Sequence, residues 1–119
     1  MSRALLYLVS ALLVVGFAAA LEPKGGLGKP KEADKEVKDA VNAVSRQIIS
    51  KARVSSNTIL IPVLYSKQTV AGTNYFVKIR LGAGQGGQYI HAKIFWDLKG
   101  KYTLVSIKDA NGPDPITFF

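Results

Sequence analysis

One apolar stripe at helical spacing, followed by segments that alternate, limits what this chain can build. Val37, Ala40, Val41, Val44 and Ile48 fall at i, i+3, i+4, i+7 and i+11, which predicts a single helix over 32–52 with one face to bury. Asp34 is the expected N-cap. Glu32, Asp34 and Glu36 crowd the amino end while Arg46, Lys51 and Arg53 crowd the carboxyl end, so the charges oppose the helix dipole at both termini. Beyond residue 57 the period changes to two. The run 58–67 is β-branched and apolar in its first half, with Pro62 expected at an edge or a bulge. In 75–81, Tyr75, Val77, Ile79 and Leu81 oppose Phe76, Lys78 and Arg80. In 89–96, Ile90, Ala92, Ile94 and Trp96 oppose Tyr89, His91, Lys93 and Phe95, and in 101–108 Tyr102 and Leu104 oppose Thr103, Val105 and Ile107. Strands of this length separated by turns read as an antiparallel meander with one face covered. The prediction is an α+β domain, one long helix wrapped by a curved sheet of four to five antiparallel strands.

At 119 residues one domain is expected. With no Cys and a single His there is no thiol nucleophile, no Cys-based zinc site, no disulfide framework and no His cluster for a metal. No nucleophile–base pair can be named, so an enzyme is disfavoured and no cofactor is expected. Residues 1–20 open with Arg3, continue through an apolar run and end on Ala18-Ala19-Ala20, the order of a secretory signal cleaved after Ala20. On that reading the product is secreted and free of the membrane. It is a domain spanning 21–119, and the loss of Arg3 lowers its formal charge from +8 to +7. Residues 21–31, rich in Gly, Pro and Lys, are expected to form a flexible arm.

Two features invite stronger readings and do not sustain them. Gly82-Ala83-Gly84-Gln85-Gly86-Gly87 satisfies G-x-G-x-x-G, but a strand pattern follows it where a dinucleotide site needs a helix, so a hairpin loop is expected. Lys78, Arg80, His91 and Lys93 share a sheet side with Phe76, Tyr89 and Phe95, a pattern on which RNA bases can stack. The lysines, however, are spread over the whole chain, and no nucleic-acid partner is expected. His91, alone of its kind, is expected on a solvent-facing strand position.

The segment Gln68-Thr69-Val70-Ala71-Gly72 lies between two strands, yet its tip is small, uncharged and partly apolar where turns favour Asn, Asp and Ser. Such a tip costs solubility unless it docks. Together with Thr73-Asn74-Tyr75-Phe76-Val77-Lys78-Ile79-Arg80, it closely resembles the Q-x-V-x-G hairpin and following strand of cystatins, inhibitors of papain-like cysteine proteases. The continuation Thr73-Asn74-Tyr75-Phe76 looks most like the stefin branch, as does His91-Ala92-Lys93-Ile94-Phe95. Gly25-Gly26-Leu27 lies about where cystatins keep their amino-terminal glycine.

The resemblance implies a reversible, competitive inhibitor of cathepsin-type proteases that blocks the active-site cleft with an apolar wedge. Carried over by position, the wedge would comprise Gly25 and Gly26 of the arm, then Gln68, Thr69, Val70, Ala71 and Gly72. Leu98 in the loop Asp97-Leu98-Lys99-Gly100 would complete it. That second loop lacks the Pro-Trp of secreted cystatins and the Leu-Pro of stefins, and Trp96 before it fits either the core or the wedge. The disulfides of secreted cystatins are absent, which points to a stefin-like cystatin routed to secretion. The alternative is a secreted basic binding or host-defence module on the same fold, without protease inhibition. The expected state is a monomer whose long hairpin could exchange strands to form a domain-swapped dimer.

Overall fold

The computed structural model describes residues 27–82 and 87–119. The elements are β1 (Lys31–Glu32), α1 (Lys35–Ala43), α2 (Ser45–Ala52), β2 (Leu60–Val70), β3 (Gly72–Leu81), β4 (Gln88–Trp96) and β5 (Tyr102–Ala110). The strands form one open antiparallel sheet in the order β1-β2-β3-β4-β5, and the helices cover one face.

The helical stripe behaves as its spacing requires. Val37, Ala40, Val41, Val44 and Ile48 are all buried, and they pack against Tyr65, Tyr75, Val77, Ile79, Ile90, Ala92 and Ile94. Asp34 is the N-cap and accepts from the Val37 N–H. The single helix expected over 32–52 is corrected on two counts. Glu32 belongs to β1, and the helix is interrupted at Val44, whose φ of −117° and ψ of 18° are not helical. The Val44 N–H turns back to Val41 O at 3.2 Å while Val44 O accepts from Ile48 at 3.0 Å, so the chain tightens for one residue and resumes. β-branched Val44 followed by Ser45 is a weak helical pair, and burial of the Val44 side chain holds the irregular backbone in place. Arg53 closes α2 in the left-handed conformation at φ 58°.

Two bulges settle what alternation alone does not. The register of β2 on β3 shifts between Pro62 and Leu64, so Pro62 lies at a bulge as its missing N–H demands. On β5 the partner of Lys93 is Ser106 and that of Ile94 is Leu104, leaving Val105 as the extra residue. The expected facing of Ile107 is therefore corrected: it joins Tyr102 and Leu104 against the core, and Val105 is exposed. The bulge advances the pleat by one residue, and the pattern inverts beyond it.

The other sheet face is only partly open to solvent. Residues 111–119 return across it, and Phe76 is fully buried beneath Phe118 and Phe119, with ring centroids 5.6 and 5.7 Å away. The expected exposure of His91 is likewise corrected, because the same segment leaves it 1% exposed. The basic and aromatic residues of this face thus meet the chain's own carboxyl end.

Candidate functional site

The antiparallel order brings the β2–β3 turn and the β4–β5 turn to the same end of the sheet. Val70 pairs with Gly72, so Ala71 alone makes the first tip, with Thr69 opposite Thr73 and Gln68 opposite Asn74. The Asn74 side-chain amide donates to Gln68 Oε1 at 3.0 Å and ties the two strands just below the tip. Gln68 and Gly72 are buried, Val70 is half-buried, and Thr69 and Ala71 are exposed.

Gly72 joins this tip to the second one. Its φ is +119°, and a Cβ there would lie 2.4 Å from the Trp96 carbonyl oxygen and 2.9 Å from the Phe95 ring. Only glycine supplies both the conformation and the space. Thr73 pairs with Trp96, so the base of one hairpin is registered on the base of the other. Trp96 is half-buried, packs on the core and stacks against Tyr102 at 6.4 Å, which gives it a core contact.

The second loop is braced by Asp97. Its Oδ1 accepts from the backbone N–H of both Lys99 and Lys101 at 2.9 Å, and those two amides hold the carboxyl below its ordinary range. Gly100, at φ +89°, donates to Asp97 O at 3.0 Å and reverses the chain. Leu98 stands at the tip, 77% exposed. An apolar side chain this open on a braced loop offers a contact that the described residues leave unused.

The amino-terminal segment reaches the same end. Lys31 pairs with Tyr65 and Glu32 with Leu64, and the Gly28 N–H donates to Lys67 O at 2.9 Å. The chain from β1 back to Gly28 therefore runs along β2 toward the Val70 tip. At the end of the stretch expected to form a flexible arm, Gly28 and Lys31 are thus held on β2 by main-chain bonds that composition cannot reveal. Gly25 and Gly26 lie outside the described residues, as do 1–20.

A polar knot fixes this edge to the helix. Tyr65 Oη donates to the Asp34 carboxylate at 2.8 Å, Tyr75 Oη donates to Glu36 Oε2 at 2.8 Å, and the Lys67 ammonium reaches the same oxygen at 3.0 Å. The Tyr65 bond keeps Asp34 below its ordinary pKa. For Glu36, burial pushes upward, but the bonds from Tyr75 and Lys67 outweigh it. Both phenols are raised, first by burial and then by these carboxylate contacts. Sequence reading missed the knot because two tyrosines on core-facing positions register only as apolar. Tyr75→Phe is expected to cost about 1–2 kcal/mol, read as a lower urea midpoint with an unchanged slope. An unaltered midpoint would show that the bond adds no stability.

Among the described residues no group of His, Cys, Asp or Glu is arranged to hold a metal ion. No protein-family model matches the chain. Curated relatives do. Cystatin-A2 of Dictyostelium discoideum is 42% identical over 96 residues, covering 80% of this chain and 96% of the relative. Cystatin-A of Homo sapiens is 34% identical over 99 residues, covering 80% of this chain and 97% of the relative. The leukocyte cysteine proteinase inhibitor 1 of Sus scrofa is 34% identical over 74 residues, covering 62% and 68%. These matches correct the secretory localisation: the similar proteins are of the cystatin-A, or stefin, type, which is intracellular. An apolar run ending in three alanines is a compositional pattern, and composition by itself fixes no route out of the cell.

Proposed function

The chain belongs to the cystatin family, on its stefin side, and from that premise we propose that it is a reversible, competitive inhibitor of papain-like cysteine proteases of the cathepsin type. The chain is not an enzyme, since the proteins it resembles inhibit proteases. One observation carries the proposal: two braced hairpin tips and the amino-terminal segment share one end of the sheet, with Ala71 and Leu98 exposed there.

An inhibitor of this kind excludes substrate by occupying a cleft. Val70, Ala71 and Leu98 offer apolar surface with the small side chain of Thr69 beside them, and Gln68 and Gly72 hold the first tip in shape. Gly25 and Gly26 would supply a bendable arm beside it. The tips are already fixed by the Gln68–Asn74 bond, the Asp97 brace and the Gly72–Trp96 contact. Association then orders little beyond the arm, and small entropic losses favour affinity. Contacts made through main chain and small side chains read the common shape of a cleft rather than one enzyme's side chains, which predicts breadth within the protease class.

Titrating papain activity with the full chain tests this directly. Inhibition is expected at micromolar concentration or below, overcome by excess substrate and reversed on dilution. Undiminished activity at micromolar inhibitor would overturn it.

A further inference from the structure

The segment that closes the outer sheet face is fastened by polar and aromatic contacts. After β5 the chain turns at Asn111, whose N–H donates to Asp114 Oδ2 at 2.8 Å, and then runs back over β3, β4 and β5. The Lys78 ammonium donates to the Gly112 carbonyl, Lys108 to Thr117 Oγ1 and Lys93 to the Phe119 carbonyl. Lys93 also lies 5.1 Å from the Phe118 ring centroid, and Lys108 lies 4.8 Å from that of Phe119.

Beneath this strap lies His91. It is 1% exposed, neither ring nitrogen has a hydrogen-bond partner among the described residues, and it lines a cavity of about 260 Å³ with Lys108, Asp109, Asp114 and Thr117. Its cross-strand partners are Lys78 on β3 and Lys108 on β5. Antiparallel partners stand about 5 Å apart, so a lysine flanks the imidazole on each side. The charged groups facing it are Lys78 from β3, Lys108 and Asp109 from β5, and Asp114 from the strap. Burial, then Lys108 and Lys78, hold the ring below its ordinary pKa, and Asp114 offsets them only in part.

We propose that the strap formed by residues 111–119 is an acid-released latch, closed over the sheet while His91 is neutral and opened by its protonation. A charged imidazole here finds no acceptor among the described residues for its two N–H groups, and its cross-strand neighbours on both sides are lysines. Lifting the strap returns it to water, so the open form binds the proton more readily than the closed one. The linkage has one sign: closure is unaffected well above the ordinary imidazole pKa of about 6.5. Below it, closure weakens by up to about tenfold per pH unit until the depressed pKa of the closed form is reached. Opening uncovers Phe76 with Lys78, Lys93 and Lys108, an aromatic and basic surface. The latch stands apart from the inhibitory reading, and a chain that failed to inhibit papain could still carry it.

The full chain has one histidine, so its ring gives one assignable NMR signal. Ring titration and backbone order of residues 112–119, followed together from pH 7.5 to 4.5, should show the strap losing order as the ring gains its proton. A chain carrying Phe118→Ala and Phe119→Ala should have a disordered strap throughout and a ring titrating nearer its ordinary value. His91→Phe should keep the strap ordered at pH 4.5. A wild-type strap that stays ordered to pH 4.5 overturns the proposal. So does a ring titration unmoved by the double substitution, which needs no His91 variant to fold. Loosening of the His91→Phe strap at the wild-type pH would assign the change to carboxylates and overturn it as well.

Discussion

Val70→Asp is expected to raise the inhibition constant against papain by about thirtyfold or more while leaving the urea midpoint almost unchanged. Val70 is half-buried at the end of β2, paired with Gly72 across a one-residue turn. In the free chain an aspartate there can turn its carboxylate into water. In a protease cleft the same carboxylate would lose that water with no cation among Gln68 to Gly72 to meet it. A desolvated, unpaired charge at the centre of an interface typically costs about 2–4 kcal/mol, which is some thirty- to nearly a thousandfold in affinity. Thr69→Ala makes the useful comparison, since it removes an exposed hydroxyl and leaves the apolar tip intact. An unchanged constant for Val70→Asp would mean that the wedge lies elsewhere on the molecule, even if the chain inhibits.

Gly72→Val should be the most damaging single change to the fold at this end. It places a β-branched residue at φ +119° and drives its Cβ toward the Trp96 carbonyl and the Phe95 ring. Backbone strain and overpacking each contribute about 1–3 kcal/mol, so a loss of about 2–6 kcal/mol is expected. The readout is the urea midpoint, with papain inhibition measured in parallel. Both should fall, because moving Gly72 shifts the first tip off the base of the second. Stability that falls while inhibition holds would separate the two loops functionally. A midpoint equal to wild type would show that the backbone moves aside freely.

Local pattern made the helix-facing residues legible. The stripe from Val37 to Ile48 and the alternation through β3 and β4 named most of the core, because burial on one face repeats at the period of the element itself. Pro62 announced its bulge, since a residue without an N–H cannot serve a regular ladder on both sides. Val105 gave no such sign. A bulge made by an ordinary residue depends on how two strands meet, and the facing of Ile107 followed from it.

The candidate site was legible only as a composition anomaly, an apolar tip where a polar one is usual, and as a resemblance over its flanks. What composition could not supply was proximity. Gly72 pressed on Trp96, Asp97 bracing its own loop and Gly28 bonded to Lys67 are contacts between positions that strand order brings together. The strap was invisible for the same reason. Asn111 to Phe119 carry no periodic pattern, and their contacts with Phe76, Lys78 and Lys93 are with residues more than twenty positions away.

By itself, the sequence determined an α+β domain with one helical stripe against a meander of strands, because those properties are local and repeat. It also determined that the chain folds without disulfides, having no cysteine. The tertiary structure alone decided that the helix breaks at Val44 and that two tips share one sheet end. It also decided that the lone histidine, placed by its strand pattern on an outer face, is buried beneath the carboxyl-terminal segment. Those outcomes depend on which distant residues meet, and side-chain periodicity carries no record of that.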